Sequence, residues 1–172
     1  MSELKFLNPS TIPAPRGYTH VVETSGPGRT VYLSGQLGMT PDGKFAGGPG
    51  DFRAQATQCF ENMKAALAVV GGGFQHVTKI TNYFVDMAHL PAFFEVRDAY
   101  VNTKAPPAST AVQIVRLARE GALFEVEAIA VLPPKAAKPS RAKPSRAKPA
   151  RAKHSRVKRS AARATGKRKR RR

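Results

Sequence analysis

The chain has 172 residues with 29 Lys and Arg against 11 Asp and Glu, a formal charge of +18 that lies wholly at one end: residues 1–134 hold eleven cations and eleven acids, residues 135–172 eighteen cations and no acid. A neutral body of this length is the usual size of one domain with its own core. One cysteine, Cys59, excludes an internal disulfide framework and a multi-cysteine metal site. His20, His76, His89 and His154 lack metal-ligand spacing, so neither a metal nor any other cofactor is expected.

The opening "MSELKFLNPSTIPAP" is a proline-punctuated lead-in with no apolar run long enough for a signal peptide or a membrane span, so a cytoplasmic protein without membrane contact is expected. "YTHVVET" (18–24) and "TVYLSGQLGM" (30–39) have strand composition and flank "SGPGR", a pattern that predicts a β-hairpin. "TPDGKFAGGPG" (40–50) is turn and loop. Asp51 stands where a helix N-cap belongs, and Phe52, Ala56, Cys59, Phe60, Met63, Ala66, Leu67 and Val70 recur at intervals of three and four, which predicts one long amphipathic helix ended by "GGG" (71–73).

"VTKITNYFVDM" (77–87) predicts a third strand, and "LPAFFEVRDAYVN" (90–102) a second helix with Pro91 in its first turn. "TAVQIV" (110–115) and "ALFEVEAIAVL" (122–132) complete a ββαβαββ order, an α+β domain over 1–134. Phe124, Val126, Ala128, Ala130 and Leu132 alternate with Leu123, Glu125, Glu127, Ile129 and Val131. Two helices cover one face of such a sheet, and the other, mixing apolar residues with two glutamates, fits a subunit interface that contains a polar pocket.

Residues 135–172 form a separate Lys/Arg/Pro/Ala-rich tail in which Lys-Pro/His-Ser/Ala-Arg recurs every five residues. Its prolines break helices and it has almost nothing to bury, so a disordered segment is expected. A run of cations including Lys143, Arg146, Lys148, Arg151, Lys153, Arg168 and Arg170 is a polyelectrolyte partner for DNA or RNA backbones. It carries no aromatic residue for stacking on bases and no means of reading sequence. Its composition resembles the basic extensions of bacterial nucleoid-associated proteins.

Chemistry in the body falls to few residues. Ser34 lies beside a glycine at a strand end, Tyr18 follows a glycine in a loop, and Glu125 is an acid/base candidate whose pKa would rise on burial at an interface. A glutamate-activated water attacking a small C=N or C=O compound is the reaction that these groups support.

"YLSGQLG", "QATQCFENMKAAL", "VGGGFQHVTKITNYFVDM", "PPASTAVQIVRLA" and "LFEVEAIAV", taken together and in order, resemble the RidA/YjgF family, also called the reactive intermediate deaminase or UK114 family, over nearly all of residues 14–133. The resemblance implies a chorismate-mutase-like subunit assembled as a homotrimer, with ligand pockets between neighbours. It also implies hydrolysis of 2-imino acids to 2-keto acids and ammonia.

Carried over by residue, the water-positioning glutamate is Glu125, the pocket serine Ser34 with Gly35 lining the site, and the pocket tyrosine Tyr18. The helix asparagine falls at Phe94. The carboxylate-clamping arginine of the "PAR[ST]xV" pattern is Ser109 in "PASTAV". A hydroxyl cannot replace a guanidinium's paired charge-assisted hydrogen bonds, a loss of roughly 1.5–3 kcal/mol, or on the order of ten- to a hundredfold in transition-state binding. Arg116, roughly 20 Å along the strand, would reach the gap only from another subunit. The expectation is a deaminase-type hydrolase acting on small reactive imines with an altered substrate range. The alternative is a non-enzymatic metabolite-binding or nucleic-acid-associated protein.

Overall fold

In the computed structural model, which describes residues 3–135, the alternating and helical patterns become strands β1 (Glu3–Leu7), β2 (Val21–Ser25), β3 (Arg29–Leu37), β4 (Val77–Phe84), β5 (Ala108–Gln113) and β6 (Phe124–Leu132), with helices α1 (Phe52–Val69) and α2 (Leu90–Asp98). The four-stranded sheet runs in the order β3-β6-β4-β5. β6 is antiparallel to both neighbours, while β4 and β5 are parallel and joined by the crossover helix α2 that such a pair requires. The expected α+β arrangement of a sheet and two helices is present. The tail residues Lys143, Arg146, Lys148, Arg151, Lys153, Arg168 and Arg170 lie outside the described residues.

One expected pairing is absent. β2 and β3 do not form a hairpin: β2 pairs antiparallel with β1, Phe6 opposite Val22, and β3 pairs with β6. The lead-in alternates Leu4 and Phe6 with Glu3 and Lys5, so it offers β2 a strand of its own. Between β2 and β3 the chain turns through Gly26 at φ +76° and then Pro27, which has no N–H for a ladder.

Helix α1 is built as its sequence dictates. The Asp51 carboxylate accepts from Ala54 N at 3.0 Å, a cap that contributes about 1 kcal/mol. At the other end Gly71 takes φ +76°, which lets Gly71 N reach Ala68 O (3.0 Å) and Gly72 N reach Leu67 O (2.9 Å). Phe52, Ala56, Cys59, Phe60, Met63 and Leu67 are buried against Phe124, Val126, Ala128, Ala130 and Leu132 of β6. α2 adds Phe93, with ring centroids 5.3 Å from Phe84 and 5.4 Å from Phe124. Both helices therefore cover the same face of the sheet, as expected.

The opposite face carries Glu125, Glu127, Ile129 and Val131 half-buried, with Tyr32 77 % exposed, and nothing among the described residues covers it. It is the face on which the glutamates stand.

Candidate functional site

On the uncovered face, the ladder between β3 and β6 slips between Leu33 and Gln36, so that Ser34 and Gly35 together oppose Glu127. Such a bulge frees backbone groups from pairing and re-aims the side chain it carries. Ser34 is turned to the open face, where it lines a cleft of about 230 Å³ with Tyr32, Lys79, Thr81, Glu127 and Ile129. Gly35 lies directly against Glu125: a Cβ there would stand 2.7 Å from the glutamate's carboxyl carbon and overlap Oε1. Only glycine lets the carboxylate lie across the bulge.

Glu125 and Glu127 project side by side from β6, opposite Tyr83 and Thr81 of β4. Burial pushes the Glu125 pKa above the usual carboxylate range, and the neighbouring Glu127 charge pushes it further. The Tyr83 hydroxyl donates to Glu127 Oε1 at 3.1 Å, which leaves Glu125 as the carboxylate without a side-chain partner among the described residues. Lys79 hydrogen-bonds Thr110, and burial lowers its pKa while Glu127 partly restores it. The arrangement is one fixed acid, Glu127, beside one with raised proton affinity, Glu125. Such a pair can hold a water and take its proton.

Tyr18 and Ser109 lie elsewhere. Ser109 is the second residue of β5 rather than part of a turn, and its partner across the ladder is Ile80, which is fully buried beneath the helices. It therefore faces the helix side, away from Glu125. Asn82 Nδ2 donates to Ser109 Oγ at 3.0 Å and to Thr110 O at 2.9 Å, fixing the hydroxyl. The buried Thr19 clamps the Tyr18 loop to the same strand end, its hydroxyl donating to Pro106 O at 2.6 Å and its N–H to Pro107 O at 3.3 Å. Arg16, Tyr18, Leu90, Phe93, Phe94, Arg97, Ser109 and Ala111 enclose a recess of about 170 Å³.

The expected site residues thus fall into two groups, Ser34, Gly35 and Glu125 on one face of the sheet and Tyr18 and Ser109 on the other. Arg116 lies in a separate recess with Val85 and residues 117–123, not beside Ser109. The cations that line the recess with Ser109 are instead Arg16 and Arg97, from the same chain. Lys79 and Arg97 were not among the residues singled out from sequence. Both were legible: Lys79 shares strand parity with Thr81 and Tyr83, and Arg97 follows Phe93 by four and Phe94 by three on a helix. Among the described residues no group of three His, Cys, Asp or Glu side chains could hold a metal ion.

The profile of the endoribonuclease L-PSP family matches residues 9–132. The 2-iminobutanoate/2-iminopropanoate deaminase of Mus musculus is 33% identical over 132 residues, 76% of this chain and 93% of its own length. Protein DfrA of Myxococcus xanthus is 38% identical over 114 residues, 66% and 84% of the two chains. Of solved structures, a protein of the conserved Rid family from Yersinia pestis superposes with a TM-score of 0.65 at 30% identity, covering 75% of this chain and 98% of that one. RidA of an Antarctic Psychrobacter gives 0.56 at 32% identity, covering 74% and 99%. The ordered segment matches, the sheet with its two helices, and a family profile that spans nearly the whole body make this chain a member of the endoribonuclease L-PSP family, that of RidA, YjgF and UK114.

Proposed function

We propose that the protein is a deaminase-type hydrolase of small reactive imines, working as a closed homotrimer in which each site is shared by two chains. The observation that carries this is the Glu125–Gly35 contact. A half-buried carboxylate of raised proton affinity is held against a bulged backbone by a glycine that nothing else in the bulge requires. Glu125 holds a water against the imine carbon and takes a proton as the C–O bond forms. The proton passes to nitrogen, the added hydroxyl then gives its own proton to the same nitrogen as the C–N bond breaks, and ammonia and a carbonyl compound leave: imine and water are consumed, ketone and ammonia produced. The Ser34 hydroxyl and the bulge's unpaired backbone groups orient the substrate.

The division of the site supports a closed ring of chains. Glu125 and Ser34 stand on the uncovered face, Tyr18 and Ser109 behind the sheet edge at β5, and a ring of copies would bring the face of one chain to the edge of the next. Relatives whose names state an imino-acid deaminase activity support the reaction class. An RNA-cleaving reading has less to stand on. His20 is bonded to Pro13 O, His89 is stacked on Phe52 at 4.3 Å, and no histidine lines either recess.

The test is ammonia release from 2-iminobutanoate generated in situ by an amino-acid oxidase. The protein should accelerate release over the spontaneous rate; a rate indistinguishable from buffer across several imines would overturn the reading. The setting we propose is the cytoplasm, with nucleoid association through the tail.

A second reading of the same chain, a nucleic-acid-associated protein, is favoured by the eighteen cations and absent acids of residues 135–172. Binding to duplex DNA should weaken steeply with salt and disappear on truncation after residue 134, with turnover retained. Unchanged binding after truncation would exclude the tail.

A further inference from the structure

Glu125 stands on the last rung of the β3–β6 ladder, paired with Leu37. Past the bulge only two rungs remain, Gln36 with Val126 and Leu37 with Glu125, and the end of a ladder is where strands fray. On its other side β6 is held more firmly: Phe124 pairs with Phe84, and Val85 N donates to Leu123 O at 3.2 Å. The place of Glu125 against Gly35 therefore depends on what fixes the end of β3 and the entry to β6.

Helix α1 fixes both. Gln55 is the one amide among its buried residues, 2 % exposed, and Asn62 lies two turns along on the same side. A buried amide is costly unless its donors and acceptor are met. Gln55 Nε2 donates to Gly121 O at 3.0 Å and its Oε1 accepts from Leu123 N at 2.9 Å, which ties down the chain two residues before Glu125. Asn62 Nδ2 donates to Leu37 O at 3.0 Å and Met39 O at 2.8 Å, which ties down β3 at the residue opposite Glu125. Gln58 Nε2 donates to Asn62 Oδ1 at 2.8 Å and so turns the Asn62 amide nitrogen toward the two carbonyls. The helix comes this close because Gly38 follows Leu37: a Cβ there would stand 2.5 Å from the Gln55 Cα and backbone O.

We propose that Asn62 and Gln55 are positioning residues for Glu125: two amides on one side of α1 hold the ends of β3 and β6 in register, so that the carboxylate lies across the bulge at Gly35. Neither lines the cleft at Ser34, and each acts only through the strand it holds. Asn62 carries the larger part, because β3 has two rungs past the bulge while β6 is also paired with β4. The assignment rests on the imine-hydrolase reading for what Glu125 does, but where Glu125 lies is a property of the folded chain and shows in its titration. The titratable groups around Glu125 are Glu127 beside it, Tyr83 opposite it on β4 and Cys59 on α1, and the variants that test the assignment keep all three.

The test is the carboxyl titration of Glu125 in the full-length protein, followed by NMR and assigned with Glu125→Gln, with kcat and KM for ammonia release measured alongside. Asn62→Leu keeps the bulk and removes the donors. The carboxylate should swing toward solvent, its pKa should fall toward the ordinary value, and kcat should drop on the order of 10- to 100-fold with KM little changed. Gln55→Met should act in the same direction and less. So should Gln58→Ala, which leaves both amides in place and frees Asn62 to turn, and it carries the test if Asn62→Leu does not fold. Leu67→Ala, a cavity toward the C-terminal end of α1, should lower the melting temperature yet leave the titration and kcat as in wild type. An unmoved titration in folded Asn62→Leu, or in Gln58→Ala where Asn62→Leu is unfolded, would overturn the assignment, and so would an equal shift in Leu67→Ala. A titration that moves with no effect on turnover, or in a protein that has none, would uphold the positioning and overturn the role of Glu125 as base.

Discussion

Glu125→Gln is expected to lower ammonia release by on the order of 10²- to 10⁴-fold, the usual contribution of a positioned general base. The same substitution should raise the melting temperature at neutral pH. A carboxyl group whose folded pKa is raised binds its proton more tightly in the folded state, so its contribution to stability is fully present below the unfolded pKa and lost as pH rises through the folded one. At neutral pH the ionised Glu125 therefore destabilises the fold, and a neutral glutamine removes that cost. The gain should vanish in acid, where Glu125 is already protonated. The acid limb of kcat/KM should lie above the usual glutamate range, and Glu127→Gln should move it down by removing the second cause of the shift. A variant that loses activity and stability together would assign Glu125 to the scaffold.

Gly35→Ala is expected to cost activity on a similar scale through a different route. The new methyl would stand 2.7 Å from the Glu125 carboxyl carbon, so the carboxylate must leave the bulge. Displacement of a catalytic group by about 1 Å can lower turnover by roughly 10²-fold. Here the melting temperature should fall, since overpacking costs about 1–3 kcal/mol. The two effects are coupled. In a Glu125→Ala background the methyl has room, and the stability cost of Gly35→Ala should shrink by an interaction energy within the roughly 0.5–3 kcal/mol range of residues in contact. Unchanged turnover in Gly35→Ala would show that Glu125 need not lie where it does.

The elements were legible where local chemistry decides them. Asp51, the three- and four-residue spacing from Phe52 to Val70, and Gly71 place α1 almost to the residue, because capping and burial agree there. The β6 alternation separates Phe124 and Val126 from Glu125 and Glu127 without reference to any partner. Strand pairing was less legible. "SGPGR" flanked by two strands has the composition of a hairpin, yet β2 turns to β1, because pairing depends on which distant strand is available and not on the turn alone.

The candidate site was half legible. Ser34, Gly35 and Glu125 meet through a bulge whose position only the register reveals. Reading Ser109 as a loop residue missing a cation overlooked that β5 begins at Ala108 and that α2 passes beside it, so Arg97 arrives from a segment read only as a helix. Sequence position placed Arg116 closer, seven residues away, than Arg97, twelve residues away. Packing reverses that order.

The division of one site between two chains is tested most directly by mixing. Glu125→Gln and Tyr18→Ala proteins, each purified as an oligomer of low activity, would be unfolded together, refolded at equal concentration and assayed for ammonia release from 2-iminobutanoate. In a closed ring each site takes Glu125 from one chain and Tyr18 from the next, so about a quarter of the mixed sites should hold both native residues and turnover should rise toward that fraction of wild type. Activity that stays at the level of the separate variants, or a wild-type chain that is monomeric and fully active, would contradict a shared site.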